Sequence, residues 1–333
     1  MVVSTKPFQN YEDLLTLLGE RGIRIADLAS AEESLRNIGY YRLSGYWYPF
    51  REPFPNQQKL HGYELTRKNE FREGTNFDDI IRLMRFDTRL RKAALSALEP
   101  VEIWLRNAIA HAIGSVHPLL HLHLDDPSML DLQMQPPIKE PNQVERYAKW
   151  LDRFDASIGY SKEDFVHHYR DRNEDLPIWA AVQTFEWGTL HNLYDLLPKW
   201  MREQIAADTG LTFKELGSWQ RSLAYLRNTC AHYARLYNRV DDAPLVPRKP
   251  SSTLSWIRAY PESLRDRTFF KLSMLQYLHG VIEGEPHFGL TKIAHEFLMA
   301  NFPGHDLSTH SHSLPILTAM GCPPNVINKS PWV

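Results

Sequence analysis

Across residues 77–116 apolar side chains return at the period of an α-helix, and only Pro100 interrupts them. A run of that length rules out strand and loop and marks the first long helical region of the chain. Asp78 and Asp79 fall in its first turn, where they suit the positive end of the helix dipole. At about 100° per residue, Arg82, Arg85, Arg89 and Lys92 share one face, while Leu83, Leu90, Ala94 and Leu98 share another. Pro100 is expected to kink this element or to begin a new helix.

The rest of the chain reads as helices separated by proline and glycine. Residues 9–20 and 31–38 have helical spacing, ended by Gly19 with Gly22 and by Gly39. Tyr40 to Tyr48 is dense in aromatics and reads as a packing surface. Pro49, Pro53 and Pro55 are expected to break any regular element, with a small hairpin after them over residues 60–73. Residues 117–142 read as an exposed connection. It carries His117, His121 and His123 without a Cys or carboxylate at ligand spacing, so neutral imidazoles are expected there rather than a metal site. From 144 to 216 the pattern is helical again, broken at Gly159, Pro177, Pro198 and Gly210. Trp179, Phe185, Trp187, Leu190, Leu193, Leu196 and Leu197 are candidate core. A helix over 218–240 has Trp219, Leu223, Leu226, Cys230, Tyr233, Ala234 and Tyr237 on its apolar face. Arg221, Asn228, His232, Arg235 and Arg239 lie on the other. Residues 241–252 form a loop, 253–280 one or two helices and 290–301 a short helix, before an irregular tail pinned by Trp332.

The fold class is therefore all-α. Three segments are expected: an N-terminal helical and aromatic segment (1–75), a helical core (76–290), and a C-terminal helix with its tail (291–333).

Composition narrows the function classes. Hydrophobic residues make up 43% and charged residues 23%, as in a soluble globular protein. The net charge of −2 supplies no overall attraction for nucleic acid, so any such partner needs a local basic face. Cys230 and Cys322 cannot build a disulfide framework, which suits a reduced cytoplasmic protein. The first residues show no charged segment followed by an apolar run, and no stretch reaches eighteen apolar residues. Neither a signal peptide nor a membrane span is expected.

One pattern occurs twice. Arg106-Asn107-Ala108-Ile109-Ala110-His111 and Arg227-Asn228-Thr229-Cys230-Ala231-His232 both read R-N-x-x-A-H. An Arg followed five residues later by a His is weak by itself; two copies that also agree at Asn and Ala, both on helices, are a stronger signal. Asn and His four apart stack one turn from each other, and the long Arg side chain reaches in from the flank. A guanidinium holds phosphate oxygens bidentately without titrating, and an imidazole moves protons near neutral pH. In RNA the adjacent 2′-hydroxyl can serve as nucleophile, so no metal or cofactor is needed. The structural reading of each hexad alone is a solvated or ion-paired helix face, with Glu102 one turn before Arg106 as its partner.

At these residues the chain resembles the Abi (abortive infection) family in its AbiD/AbiF branch, whose domain belongs to the HEPN superfamily of helical ribonucleases. The resemblance runs through Ile38-Gly-Tyr-Tyr-Arg-Leu-Ser-Gly-Tyr46, Phe86-Asp-Thr-Arg-Leu-Arg91, Val101-Glu-Ile-Trp-Leu-Arg-Asn107 and Leu176-Pro-Ile-Trp179. It continues through Leu226 to Arg239 and ends at Met320-Gly-Cys-Pro323. It implies a HEPN-type helical bundle and a metal-independent endoribonuclease that leaves a 2′,3′-cyclic phosphate and a 5′-hydroxyl. It also implies a role in phage defence as a toxin, with a structured non-coding RNA as regulator. The expected catalytic residues are Arg106, His111, Arg227 and His232, oriented by Asn107 and Asn228 and formed within one chain or across a homodimer. Arg82, Arg85, Arg89, Lys92, Arg235 and Arg239 are candidate contacts to the RNA backbone. The competing expectation is a non-catalytic RNA-binding module that grips a partner RNA through the same hexads.

Overall fold

The computed structural model describes residues 7–60, 63–126, 138, 141–239, 254, 256–257, 260–300, 320–323 and 331–332. Its helices run α1 (Tyr11–Glu20), α2 (Leu28–Ile38), α3 (Tyr40–Trp47), α4 (Phe77–Gly114), α5 (Pro141–Tyr160) and α6 (Asp164–Asp171). They continue with α7 (Ile178–Ala181), α8 (Trp187–Leu196), α9 (Lys199–Ala207), α10 (Phe213–Ala231), α11 (Thr268–Glu283) and α12 (Phe288–Met299). The fold is all-α apart from a two-stranded antiparallel hairpin of β1 (Arg51–Leu60) and β2 (Tyr63–Phe71).

The long helix α4 is the axis. Asn76 caps it, its side chain accepting from the Asp78 N–H at 3.0 Å, and Asp78 and Asp79 occupy the first turn. Its 38 residues span about 57 Å at 1.5 Å per residue. That length gives it neighbours on several sides: α3, α7, α8, α9, α10, α11 and α12 all pack against it. Leu83, Leu90, Ala94 and Leu98 are buried, and Arg82, Arg85, Arg89 and Lys92 are exposed, as the helical projection requires. Pro100 lies inside one continuous helix and does not begin a second one. The carbonyl that its missing N–H leaves unmatched belongs to Ser96, an exposed residue.

Several sequence expectations are corrected. Pro53 and Pro55 lie within β1, because a two-stranded ribbon always has an open edge where no N–H is required. The register is irregular between Arg51 and Pro53 and between Pro53 and Gln58. The hairpin therefore begins at residue 51 rather than 60. The segment after α4 is not uniformly exposed, since Leu120 and His121 are buried in a short 3₁₀ turn, Leu120–Leu122. Trp179 is 52% exposed rather than core, although Phe185, Trp187, Leu190, Leu193, Leu196 and Leu197 are buried. Tyr40 to Trp47 is itself a helix, with Leu43, Tyr46 and Trp47 packed into the interior. The expected loop at 241–252 lies outside the described residues. Trp332 does anchor the tail: it stacks on Phe269 at 4.8 Å and donates to Ser273 Oγ at 2.9 Å.

Candidate active site

The second hexad sits at the end of α10. A capping box between Thr212 and Glu215 starts this helix, and Trp219, Leu223, Leu226 and Cys230 bury its apolar face. Each large apolar side chain buried in this way contributes roughly 1.5–3 kcal/mol. The helix ends at Ala231, well short of residue 240, and His232 is its C-cap. Tyr233 takes a left-handed conformation at φ +57°. Its N–H bonds the Cys230 carbonyl at 3.1 Å, and the Ala234 N–H reaches back to Thr229 at 3.0 Å, which makes a Schellman closure. Glycine usually takes this position, so the sequence signal for a stop was absent. Tyr233 is 70% exposed and Tyr237 lies beyond the helix, which corrects the apolar face expected for this stretch.

What holds Tyr233 in that conformation comes from elsewhere in the chain. Arg42 on α3 donates to the Tyr233 carbonyl at 2.7 Å, and Arg235 donates to the Gly45 carbonyl at 2.7 Å. Deeper, the Asp87 carboxylate of α4 accepts the Tyr237 N–H at 2.6 Å, the Leu236 N–H at 3.3 Å and the Tyr46 hydroxyl at 2.6 Å, and it pairs with Arg91. Burial pushes the Asp87 carboxyl up; the Arg91 charge and these donors work against that shift. Three sequence stretches far apart in the chain are thus joined at one carboxylate.

The two hexads meet through their arginines. Glu102 on α4 forms an ion pair with Arg106, which also donates to the Val182 carbonyl. Arg227 approaches the same carboxylate with Nε at 3.9 Å. Arg106 is held tightly and mostly buried, whereas Arg227 is 39% exposed and only loosely paired. Leu95, Leu98, Glu99, Ile103 and these three charged groups line a cavity of about 280 Å³.

The histidines do not join the arginines there. His111 and His232 are both exposed, and neither lines that cavity. After Arg227 the chain runs back toward Asp87, about 22 Å from Glu102 along α4. His111 lies the other way, about 13 Å beyond Glu102. The exposed stripe of α10 is Arg221, Tyr225, Asn228 and His232, and that of α4 is Ile103, Asn107 and His111.

The candidate RNA contacts are differently disposed. Arg82 pairs with Asp79 at 2.7 Å, Arg89 pairs with Glu296, and Arg235 is committed to Gly45. Arg85 and Lys92 are exposed. Arg239 lies over the Tyr225 ring at 5.1 Å. Lys271 lies 4.6 Å from the centroid of the same ring. Burial, aided by the Arg239 charge, pushes its amine down to about 7. Lys271 was not legible as part of this cluster, since it lies on α11, remote in sequence from Tyr225, and is brought here by packing alone. Cys230 and Cys322 are buried, and burial pushes both thiols up to about 12. Among the described residues no group of three His, Cys, Asp or Glu side chains is arranged to hold a metal, and no helix is long and apolar enough to cross a membrane.

An all-α protein built on one long central helix, with two matching hexads converging on a shared carboxylate, is the class that this fold and site define. The chain belongs to the Abi-like protein family, whose model matches residues 33–238. That match covers both hexads and the Asp87 junction, and it associates the chain with abortive infection. No curated protein and no solved structure matches the chain.

Proposed function

We infer that this protein is a metal-independent endoribonuclease of the HEPN type, acting in the cytoplasm as the toxic arm of a phage-defence response. The observation that carries this reading is the convergence of Arg106 and Arg227 on Glu102, which joins two hexads far apart in sequence. Arg227 is the phosphate-holding group: it is accessible, its carboxylate partner is already engaged by Arg106, and its guanidinium can turn to phosphate oxygens. His232, at the rigid end of α10, is the proton-transfer group, and Asn228 orients the substrate one turn before it. The 2′-hydroxyl loses its proton and forms a bond to the adjacent phosphorus as the bond to the 5′-oxygen breaks. That oxygen leaves as a hydroxyl after taking up a proton, and a 2′,3′-cyclic phosphate remains. Arg106 holds Glu102 in place, with Asn107 beside it. Neither His111 nor His232 lines the Glu102 cavity, so we assign the second imidazole to another copy of the chain. His111 is the candidate for that role.

A non-catalytic RNA-binding module is the second reading, favoured by the absence of any imidazole among the residues lining the Glu102 cavity. Cleavage assays with RNA separate the two. His232→Ala is expected to lower the cleavage rate at least 10²-fold with RNA binding retained. Unchanged cleavage rejects the assignment of His232, and binding without cleavage by the unaltered protein favours the module.

A further inference from the structure

On α5, Arg146, Lys149 and Arg153 recur on one helix face, and all three are exposed. With Trp150 of α5 and Asn192 and Leu196 of α8 they line a cavity of about 170 Å³ that contains three cations and no carboxylate in its lining. Lys149 bonds Glu145 at 2.6 Å, but the two side chains are 65% and 68% exposed, so water screens the pair and it yields readily to a stronger anion. Asp195, 3.5 Å from His191, also sits 3.6 Å from Arg146 and 3.7 Å from Arg221. One carboxylate therefore ties the basic face of α5 to Arg221, the first member of the exposed stripe on α10. From Arg221 that stripe runs through Tyr225 and Asn228 to His232, about 16 Å along the helix. One exposed stripe of α10 thus leads from the neighbourhood of the basic groove to the residue assigned to proton transfer, at a distance spanned by a few nucleotides.

We propose that the groove between α5 and α8 holds a backbone phosphate of the RNA strand whose scissile phosphate lies at Arg227 and His232. The proposal rests on the ribonuclease reading and adds to it where the strand runs. The groove recognises phosphate rather than base. Its aromatic ring, Trp150, is buried and donates its N–H to the Thr189 carbonyl at 3.0 Å, so it offers no face for stacking, while the accessible groups are guanidinium, ammonium and amide. Binding here is therefore independent of sequence and sensitive to salt.

The test is the Lys149→Ala/Arg153→Ala double variant, which removes two exposed side chains and leaves the Arg146–Asp195 contact in place. Binding of an unstructured single-stranded RNA is titrated against salt in the cleavage-silent His232→Ala background, with and without the double change. Expected is a loss of affinity of about tenfold near 0.1 M salt, with the slope of log K against log salt shallower by about 0.7, the share of one single-strand phosphate. Cleavage of a dinucleotide, too short to reach α5, is expected to be unchanged when His232 is present. Unaltered affinity and slope overturn the groove while leaving the ribonuclease reading intact. An equal loss from Arg24→Ala/Arg36→Ala, two exposed cations with no assigned RNA contact, overturns it as well, because bulk charge then explains the effect. A parent protein that neither binds nor cuts RNA overturns both.

Discussion

The backbone N–H of Tyr237 donates to the carboxylate of Asp87 at 2.6 Å, deep in the interior and in the N-terminal third of α4. This bond, with those from Leu236, Tyr46 and Arg91, fixes the chain just after the second hexad and so fixes the end of α10. Removing one partner of such a pair leaves a buried charge without compensation. Asp87→Ala is expected to cost about 3–5 kcal/mol in urea unfolding, and Tyr46→Phe only about 1 kcal/mol. A loss below 1 kcal/mol for Asp87→Ala excludes this role.

Glu102 is expected to separate binding from turnover. Changing it to Gln removes a negative charge from beside Arg106 and Arg227 while keeping the volume. RNA is then held more tightly, and Arg227 is less well oriented. Both KM and kcat of the proposed cleavage should fall in Glu102→Gln, kcat by about tenfold. A raised KM contradicts this account of the arginine pair.

Tyr233 occupies left-handed space at φ +57° with its side chain 70% exposed, so little packing is lost when it is replaced. An L-residue in that region costs about 1–2 kcal/mol that glycine avoids. Tyr233→Gly is expected to leave stability unchanged or raise it by up to about 1 kcal/mol, and Tyr233→Ile to lower it by at least about 1 kcal/mol. Matching unfolding midpoints for the two variants are incompatible with a strained C′ position.

His121 sets a pH dependence. Its ring is packed edge-on against Trp150 and Phe154, and neither ring nitrogen has a hydrogen-bond partner among the described residues. Burial first, and the His123 charge second, push its imidazole down to about 4 from an ordinary value of 6.5. Between those values the unfolded chain takes up a proton that the folded chain refuses. The stabilisation is therefore complete above pH 6.5 and declines by about 3 kcal/mol as the pH falls toward 4. His121→Phe should flatten that part of the stability profile measured by denaturant titration. An undiminished slope in the variant assigns the effect to another group.

Much of this protein was legible without coordinates. The spacing of Leu83, Leu90, Ala94 and Leu98 against Arg82, Arg85, Arg89 and Lys92 marks a long helical run and its two faces, because a helix face depends only on local geometry. The matched hexads likewise stand out by residue type alone. The prolines of β1 misled because their tolerance depends on which edge of the ribbon is open, and that is a property of pairing. Trp179 misled because composition does not say which large apolar side chain is left at the surface.

The chain by itself determined the long helical run with Asp78 and Asp79 in its first turn, and the presence of two Arg–Asn–His constellations. Each follows from interactions within a turn or two. Tertiary structure alone decided that Arg106 and Arg227 share Glu102 in a cavity that neither His111 nor His232 lines, and that α10 stops at Ala231 with a tyrosine in left-handed space two residues on. Those outcomes depend on Arg42, Asp87 and Glu102, residues far away in sequence whose side chains act only once the helices have packed.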